Sequence, residues 1–155
     1  MYQIVDILRK QDKISIVSYA SETKVELPTS IGTEKEKIKK IVEGLKAGGL
    51  TAGGSGIKLG YIQTLNSYIQ NGVNQIVVIT DVAFNKNSDD YKNYIEKYKK
   101  KGINMTVVGI LNNETDKKTM QKVAELGGGR YVEINKLSDA MNNLKQEIRF
   151  ISFKR

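Results

Sequence analysis

The apolar positions along the chain change period several times, and each change marks an element. Ile4, Val5 and Leu8, with Ile7 alongside, recur at helical spacing and predict a helix, or the tail of one, over 2–10. Lys13 to Tyr19 is a β-rich run, and Lys24-Val25-Glu26-Leu27 is a short second strand. Ser21-Glu22-Thr23 between them suits a hairpin turn, and Pro28, which has no donor for a ladder, should end the second strand. Thr33 with Glu36 makes a capping box for a helix whose apolar face is Ile38, Ile41, Val42 and Leu45, stopped by Gly48-Gly49. Gly48 to Gly56 holds five glycines in nine residues and reads as a loop. Ile57, Tyr61, Leu65 and Tyr68 then predict a helix over about 55–70, ended by Asn71-Gly72.

The second half alternates strand and helix. Gln75 to Thr80 is a continuous apolar strand of the kind covered on both faces, with Asp81 directly at its end. A polar loop follows, with Ser88 as cap of a helix over 89–101 that Gly102 closes. Ile103 to Ile110 is a strand. Thr115 caps a helix to Leu126, ended by Gly127-Gly128-Gly129, and Arg130 to Ile134 is another strand. Ser138 to Glu147 is a last helix, after which Ile148 to Phe153 alternates like a strand. Strands separated by helices of about a dozen residues indicate βαβ units and a mostly parallel sheet. No repeat, low-complexity stretch or linker divides residues 1–155, so a single domain is expected, with 148–155 as an extra strand or tail.

Composition removes more functions than it suggests. Cysteine and histidine are both absent. That excludes disulfides, thiolate zinc sites, Ser-His-Asp triads and histidine general bases from these residues. Any metal must be a hard cation held by oxygens. No apolar run reaches the roughly 18 residues of a membrane span. Residues 1–8 lack the basic start and long apolar core of a signal peptide. The net charge of +8 raises a nucleic-acid or anionic-surface partner, but the lysines are scattered over several helices. Only Lys97, Lys99, Lys100 and Lys101 cluster, and they suit the negative end of a helix dipole, so nucleic acid is not the expected partner.

In an open α/β sheet, ligands bind outside the carboxyl ends of the strands. The glycine-rich segment around Thr51 and the strand-terminal Asp81 should meet there. A carboxylate and a hydroxyl on adjacent loops can serve Mg²⁺ or Mn²⁺, although an aspartate there can also simply form a turn and a loop threonine usually bonds backbone. A phosphate loop fails, because Gly56 is followed by Ile57-Lys58 and the preceding element is a helix. The dinucleotide fingerprint fails too: Gly54 to Gly60 is one residue too long and no strand precedes it. Asn85 to Asp90 lacks the glycine and the glutamate of a calcium loop, and Asp89-Asp90 reads as a first-turn match to the dipole.

Several segments, in order, resemble one family. Asp12 to Ala20 with the short strand at Val25 is similar to the second and third strands of the von Willebrand factor type A domain. Gly48-Gly49-Leu50-Thr51-Ala52-Gly53-Gly54 resembles its glycine-threonine loop, and Ile76 to Asp81 its fourth strand with the following aspartate. Gly127-Gly128-Gly129-Arg130-Tyr131 resembles the approach to its last strand. The resemblance implies a Rossmann-like three-layer α/β/α fold, mostly parallel, with one antiparallel edge hairpin strand. It implies a module that binds a protein ligand, often through a metal-ion-dependent adhesion site, and no enzyme. Thr51 and Asp81 fall on two metal positions of that site, and Gly49, Gly53, Gly54 and Ser55 on its ligand-binding loop.

The Asp-x-Ser-x-Ser motif that supplies the other three ligands does not occur, and Val82-Ala83 stand where bacterial members often carry Gly-Asp. Weak Mg²⁺ or Mn²⁺ binding, or none, is the expectation. The resemblance also implies a central first strand between those matching Ile14–Ser18 and Ile76–Thr80. Met1 falls inside the helix that would follow it, which suggests N-terminal truncation. Upstream sequence, the 148–153 segment, or a second copy in a homodimer through strand exchange or edge pairing would then complete the sheet. Many bacterial relatives are parts of envelope or secreted proteins, so an extracytoplasmic place within a longer protein is expected. The alternative is a small-molecule or nucleotide-binding α/β domain using residues 48–56.

Overall fold

The computed structural model describes residues 5–46, 53–81 and 90–153. Val5 and Asp6 are helical, and the chain then forms a hairpin of β1 (Lys13–Tyr19) and β2 (Thr23–Ile31). Two helices follow, α1 (Lys35–Gly44) and α2 (Gly53–Asn66), and then β3 (Asn74–Thr80). The rest alternates: α3 (Asp90–Lys99), β4 (Ile103–Ile110), α4 (Glu114–Leu126), β5 (Gly128–Ile134) and α5 (Leu137–Phe153).

The strands form two sheets rather than one. β1 and β2 pair antiparallel, while β3, β4 and β5 form a parallel sheet in that order. No ladder joins β1 to β3 among the described residues. Alternation along β4 assigns the two faces of the parallel sheet. Ile103, Met105 and Val107 are fully buried in a cluster with Ile57 and Tyr61 of α2, Tyr91, Ile95 and Tyr98 of α3, and Met120 and Val123 of α4. Val108, on the other face, joins Ile134 and Leu144 of α5. A third cluster of Val5, Leu27 and Ile38 covers the hairpin, with Ile14, Ile16, Ile41 and Val42 against it. Helices on both faces of a parallel sheet give the three-layer α/β/α architecture.

Several expected boundaries are corrected. Pro28 does not end β2, which runs on to Ile31. The register explains how: Ile14 pairs Ser30 while Ile16 pairs Leu27, so two steps on β1 face three on β2. Pro28 lies in that bulge, on a strand with no further neighbour, where its missing N–H breaks no ladder bond. The cap of α1 is Glu34, without a side-chain bond, and not Thr33. α4 is capped by Asn113, whose side chain accepts from the Asp116 N–H at 2.9 Å, two residues before the expected Thr115. Ser88 and Gly48-Gly49 lie outside the described residues. Gly102 closes α3 with φ +80, a left-handed position that suits glycine.

The largest correction is at the end. Residues 148–153 are not a strand or tail but the last turns of α5. Leu144, Glu147, Ile148 and Ile151 stand at i, i+3, i+4 and i+7 and are all buried or half-buried, so a helical face outweighs the local alternation. This segment therefore does not fill the space between β1 and β3.

The face of α5 carries one charge inward. Glu147 is 2% exposed. It accepts from the Arg130 guanidinium and from the Thr106 hydroxyl at 3.2 Å, and Gln75 donates in turn to Thr106 at 3.1 Å. The Arg130 guanidinium also lies 4.2 Å from the centre of the Phe150 ring. Arg130→Ala would leave a buried carboxylate without its cation. It is expected to cost about 3 kcal/mol by urea unfolding, the low end of the usual range because Arg130 is half exposed. Replacing both partners by apolar residues should cost clearly less.

Tyr61 presents the opposite case. It is fully buried and stacked on Tyr98 with ring centres 5.3 Å apart. Its hydroxyl meets no hydrogen-bond partner among the described residues, and burial pushes it well above the usual phenol range. Tyr61→Phe keeps the stacking and removes the unsatisfied group. Thermal unfolding is expected to show unchanged or higher stability, by up to about 1 kcal/mol.

Candidate functional site

β3, β4 and β5 are parallel, so their carboxyl ends share one edge. The hairpin joins that edge through one residue. Tyr19, the last residue of β1, donates from its hydroxyl to the carbonyl of Ile79 at 2.6 Å. The last residue of β1 thus meets the last residues of β3. Burial raises the pKa of Tyr19, the hydrogen bond with Thr80 opposes that rise, and the nearby Asp81 carboxylate adds to it.

The first turn of α2 packs on the same tyrosine. A Cβ built on Gly56 would stand 2.8 Å from Cβ and Cγ of Tyr19, so only glycine lets the helix come this close. Gly53 and Gly54 are buried in that turn and Ser55 is exposed. This corrects the sequence expectation, which put all three in a loop. Gly53 and Gly54 are already helical, and the close packing of Gly56 on Tyr19 outweighs the poor helix propensity of glycine in this turn. Its first turn carries no acidic side chain, so the positive end of its dipole is not neutralised from within.

Asp81 is exposed at the end of β3. Its backbone carbonyl accepts from the Asn112 side chain at 2.6 Å, and the Asn112 oxygen in turn receives the Tyr131 hydroxyl at 3.3 Å. This relay ties the ends of β3 and β4 to Tyr131 in the middle of β5, and the sequence reading missed it. Asn112 carried no motif, and only its place just after β4 could have marked it. Thr51 and Gly49 lie outside the described residues. The structure therefore brings Asp81, Gly53, Gly54 and Ser55 to one edge through Tyr19, and leaves the other two expected site residues undescribed. Among the described residues no group of three or more acidic side chains could hold a metal. One carboxylate does not make a site for a hard divalent ion. A cavity of about 260 Å³ lies elsewhere, lined by Arg130, Tyr131, Val132, Asn143, Gln146 and Glu147.

This arrangement can be set beside known proteins. The family model of the von Willebrand factor type A domain matches residues 1–147. The chain belongs to the von Willebrand factor type A family. It is 35% identical over 149 residues to the "Uncharacterized protein YfbK" of Escherichia coli (strain K12), a match covering 94% of this chain and 26% of that protein. The chain thus spans about a quarter of the length of that curated relative. Among solved structures, the conserved hypothetical protein BatB from Bacteroides thetaiotaomicron superposes with a TM-score of 0.76 at 20% identity, over 97% of this chain and 83% of that one. A von Willebrand factor type A structure from Catenulispora acidiphila superposes with a TM-score of 0.77 at 16% identity, over 99% and 36%. An aerotolerance-related membrane protein from Bacteroides fragilis gives 0.72 at 20% identity, over 96% and 84%. These likenesses establish the fold. Among the described residues of this domain, no helix is long and apolar enough to cross a membrane.

Gly56→Ala is expected to destabilise the domain by about 1–3 kcal/mol in chemical unfolding, because the new methyl meets the stem of Tyr19 rather than a flexible tip. Tyr19→Phe removes the hydroxyl bonds to Ile79 and Thr80 and should cost about 1 kcal/mol.

Proposed function

We propose that this von Willebrand factor type A domain is a protein-binding module and not an enzyme, and that it presents the carboxyl edge of its sheet to a protein ligand. The observation that carries the reading is the convergence of exposed Asp81, the first turn of α2 and the Tyr131–Asn112 relay at one edge. The sequence supplies neither histidine nor cysteine for covalent or general-base chemistry there. A divalent ion, Mg²⁺ or Mn²⁺, would be held by Asp81 with Thr51 and would bind weakly, since one carboxylate supplies nearly all the charge. The domain is proposed to work within a longer protein of the bacterial envelope. That proposal is supported by its short span of the curated relative and by the description of the Bacteroides fragilis neighbour as a membrane protein. The absence of a ladder between β1 and β3 among the described residues supports a homodimer through strand exchange or edge pairing, which light scattering tests.

Photo-crosslinking tests the edge directly. A photoreactive residue at Asn112 should capture protein in cells, and the same residue at Gln146 on α5 should not. Adducts only from Gln146 would sink the reading. Retention of ATP or phosphate at the Asn112 edge, without protein adducts, would favour nucleotide binding through residues 48–56 instead.

Metal titration tests the ion. When the free ion equals its Kd, the folded state gains only about 0.4 kcal/mol. Thermal unfolding in millimolar Mg²⁺ or Mn²⁺ should therefore barely move, and Asp81→Asn should remove any shift. A gain of about 2.7 kcal/mol, the value for a hundredfold excess over Kd, would overturn the expectation of weak binding.

A further inference from the structure

The opposite end of the sheet carries a feature that the proposed ligand edge does not use. α3 ends there, just before β4, and places Lys97, Lys99, Lys100 and Lys101 in exposed positions. No ion pair neutralises any of these four among the described residues. The acids beside them are Glu96, one turn before Lys99 and Lys100 on α3, and Glu125, whose carbonyl accepts from Lys99 Nζ at 3.4 Å. The ligand edge carries Asp81, Asp90, Glu114 and Asp116, with Lys58 paired to Asp90 and Lys117 to Glu114.

Apolar groups surround the lysines. The sequence pattern assigned Leu65 and Tyr68 to the core-facing side of α2. The helix stops at Asn66, and these residues are 38% and 40% exposed, beside Val73 at 38%. The Tyr68 hydroxyl donates to the Lys101 carbonyl at 3.0 Å, so the apolar set and the basic set are contiguous. The Lys97 and Lys101 ammonium groups each lie 5.4 Å from the centre of the Tyr98 ring, which draws their stems along apolar surface.

We propose that this end of the domain rests on an anionic lipid bilayer. Lysines around exposed leucine, tyrosine and valine match both halves of such a surface. The cations meet acidic headgroups and the apolar side chains enter the boundary beneath them. The docked domain holds its opposite edge away from the membrane, free for a protein ligand. Nucleic acid would use the charge but leave the apolar set without a role.

Co-sedimentation with vesicles tests this. The chain should bind phosphatidylcholine vesicles containing phosphatidylserine and should not bind pure phosphatidylcholine at low salt. Rising salt should weaken binding. Each neutralised lysine should weaken it about fivefold, so Lys99→Gln, Lys100→Gln and Lys101→Gln together should weaken it about a hundredfold. Leu65→Ser with Val73→Ser should remove the binding that survives in high salt, with the circular dichroism spectrum of every variant unchanged. Three results overturn the proposal: no binding to the acidic vesicles at low salt, equal binding by the lysine variant, or salt-sensitive binding to DNA or RNA without vesicle binding.

Discussion

The hairpin and the parallel sheet are joined by side chains, with no ladder between β1 and β3 among the described residues. Tyr19 is the central joint. Its hydroxyl reaches a β3 carbonyl, and its ring stem receives the first turn of α2 at a position where only glycine fits. The close packing of α2 on β1 and the proximity of Asp81 to Tyr19 meet at that contact. A tyrosine fixed at its stem and its tip holds two sheets in register at one end without a backbone ladder. The interior of the parallel sheet needs no such device, because β3, β4 and β5 are sealed by the cluster around Met105 and Val107 on one face and by α5 on the other.

Much of this was legible in the residues. β1 and β4 fall where the β-rich runs put them, and β4, covered on both faces, is buried along most of its length. The family resemblance rested on short segments in the right order, and the match over residues 1–147 bears it out. What escaped the sequence was decided by partners distant along the chain. Pro28 was read as a stop, yet an edge strand with a bulge tolerates it. The 148–153 segment alternates by chance, and its helical period shows only when Leu144 and Glu147 are counted with it.

The candidate site was legible in outline and not in composition. Asp81 stands where an apolar strand ending in aspartate should put it. Gly53, Gly54 and Ser55 are helical rather than looped, in the same turn as Gly56, which packs on Tyr19. Asn112 and Tyr131 had no local pattern to reveal them: their hydrogen bonds exist only once β3, β4 and β5 are adjacent. The exposed Leu65 and Tyr68 show the same limit from the other side. Their spacing continues that of Ile57 and Tyr61, yet Leu65 in the last turn of α2 and Tyr68 beyond its end are both exposed.

The bulge at Pro28 has a consequence for how this domain meets other chains. β2 is the outer strand of the hairpin, and such a rim is where stray chains usually dock. A missing amide and a kink in the ladder make that rim a poor template. β1, by contrast, has no strand paired on its other side among the described residues. The two rims of the hairpin thus differ: the outer one discourages growth of the sheet into filaments, and the inner one carries Tyr19 across to β3.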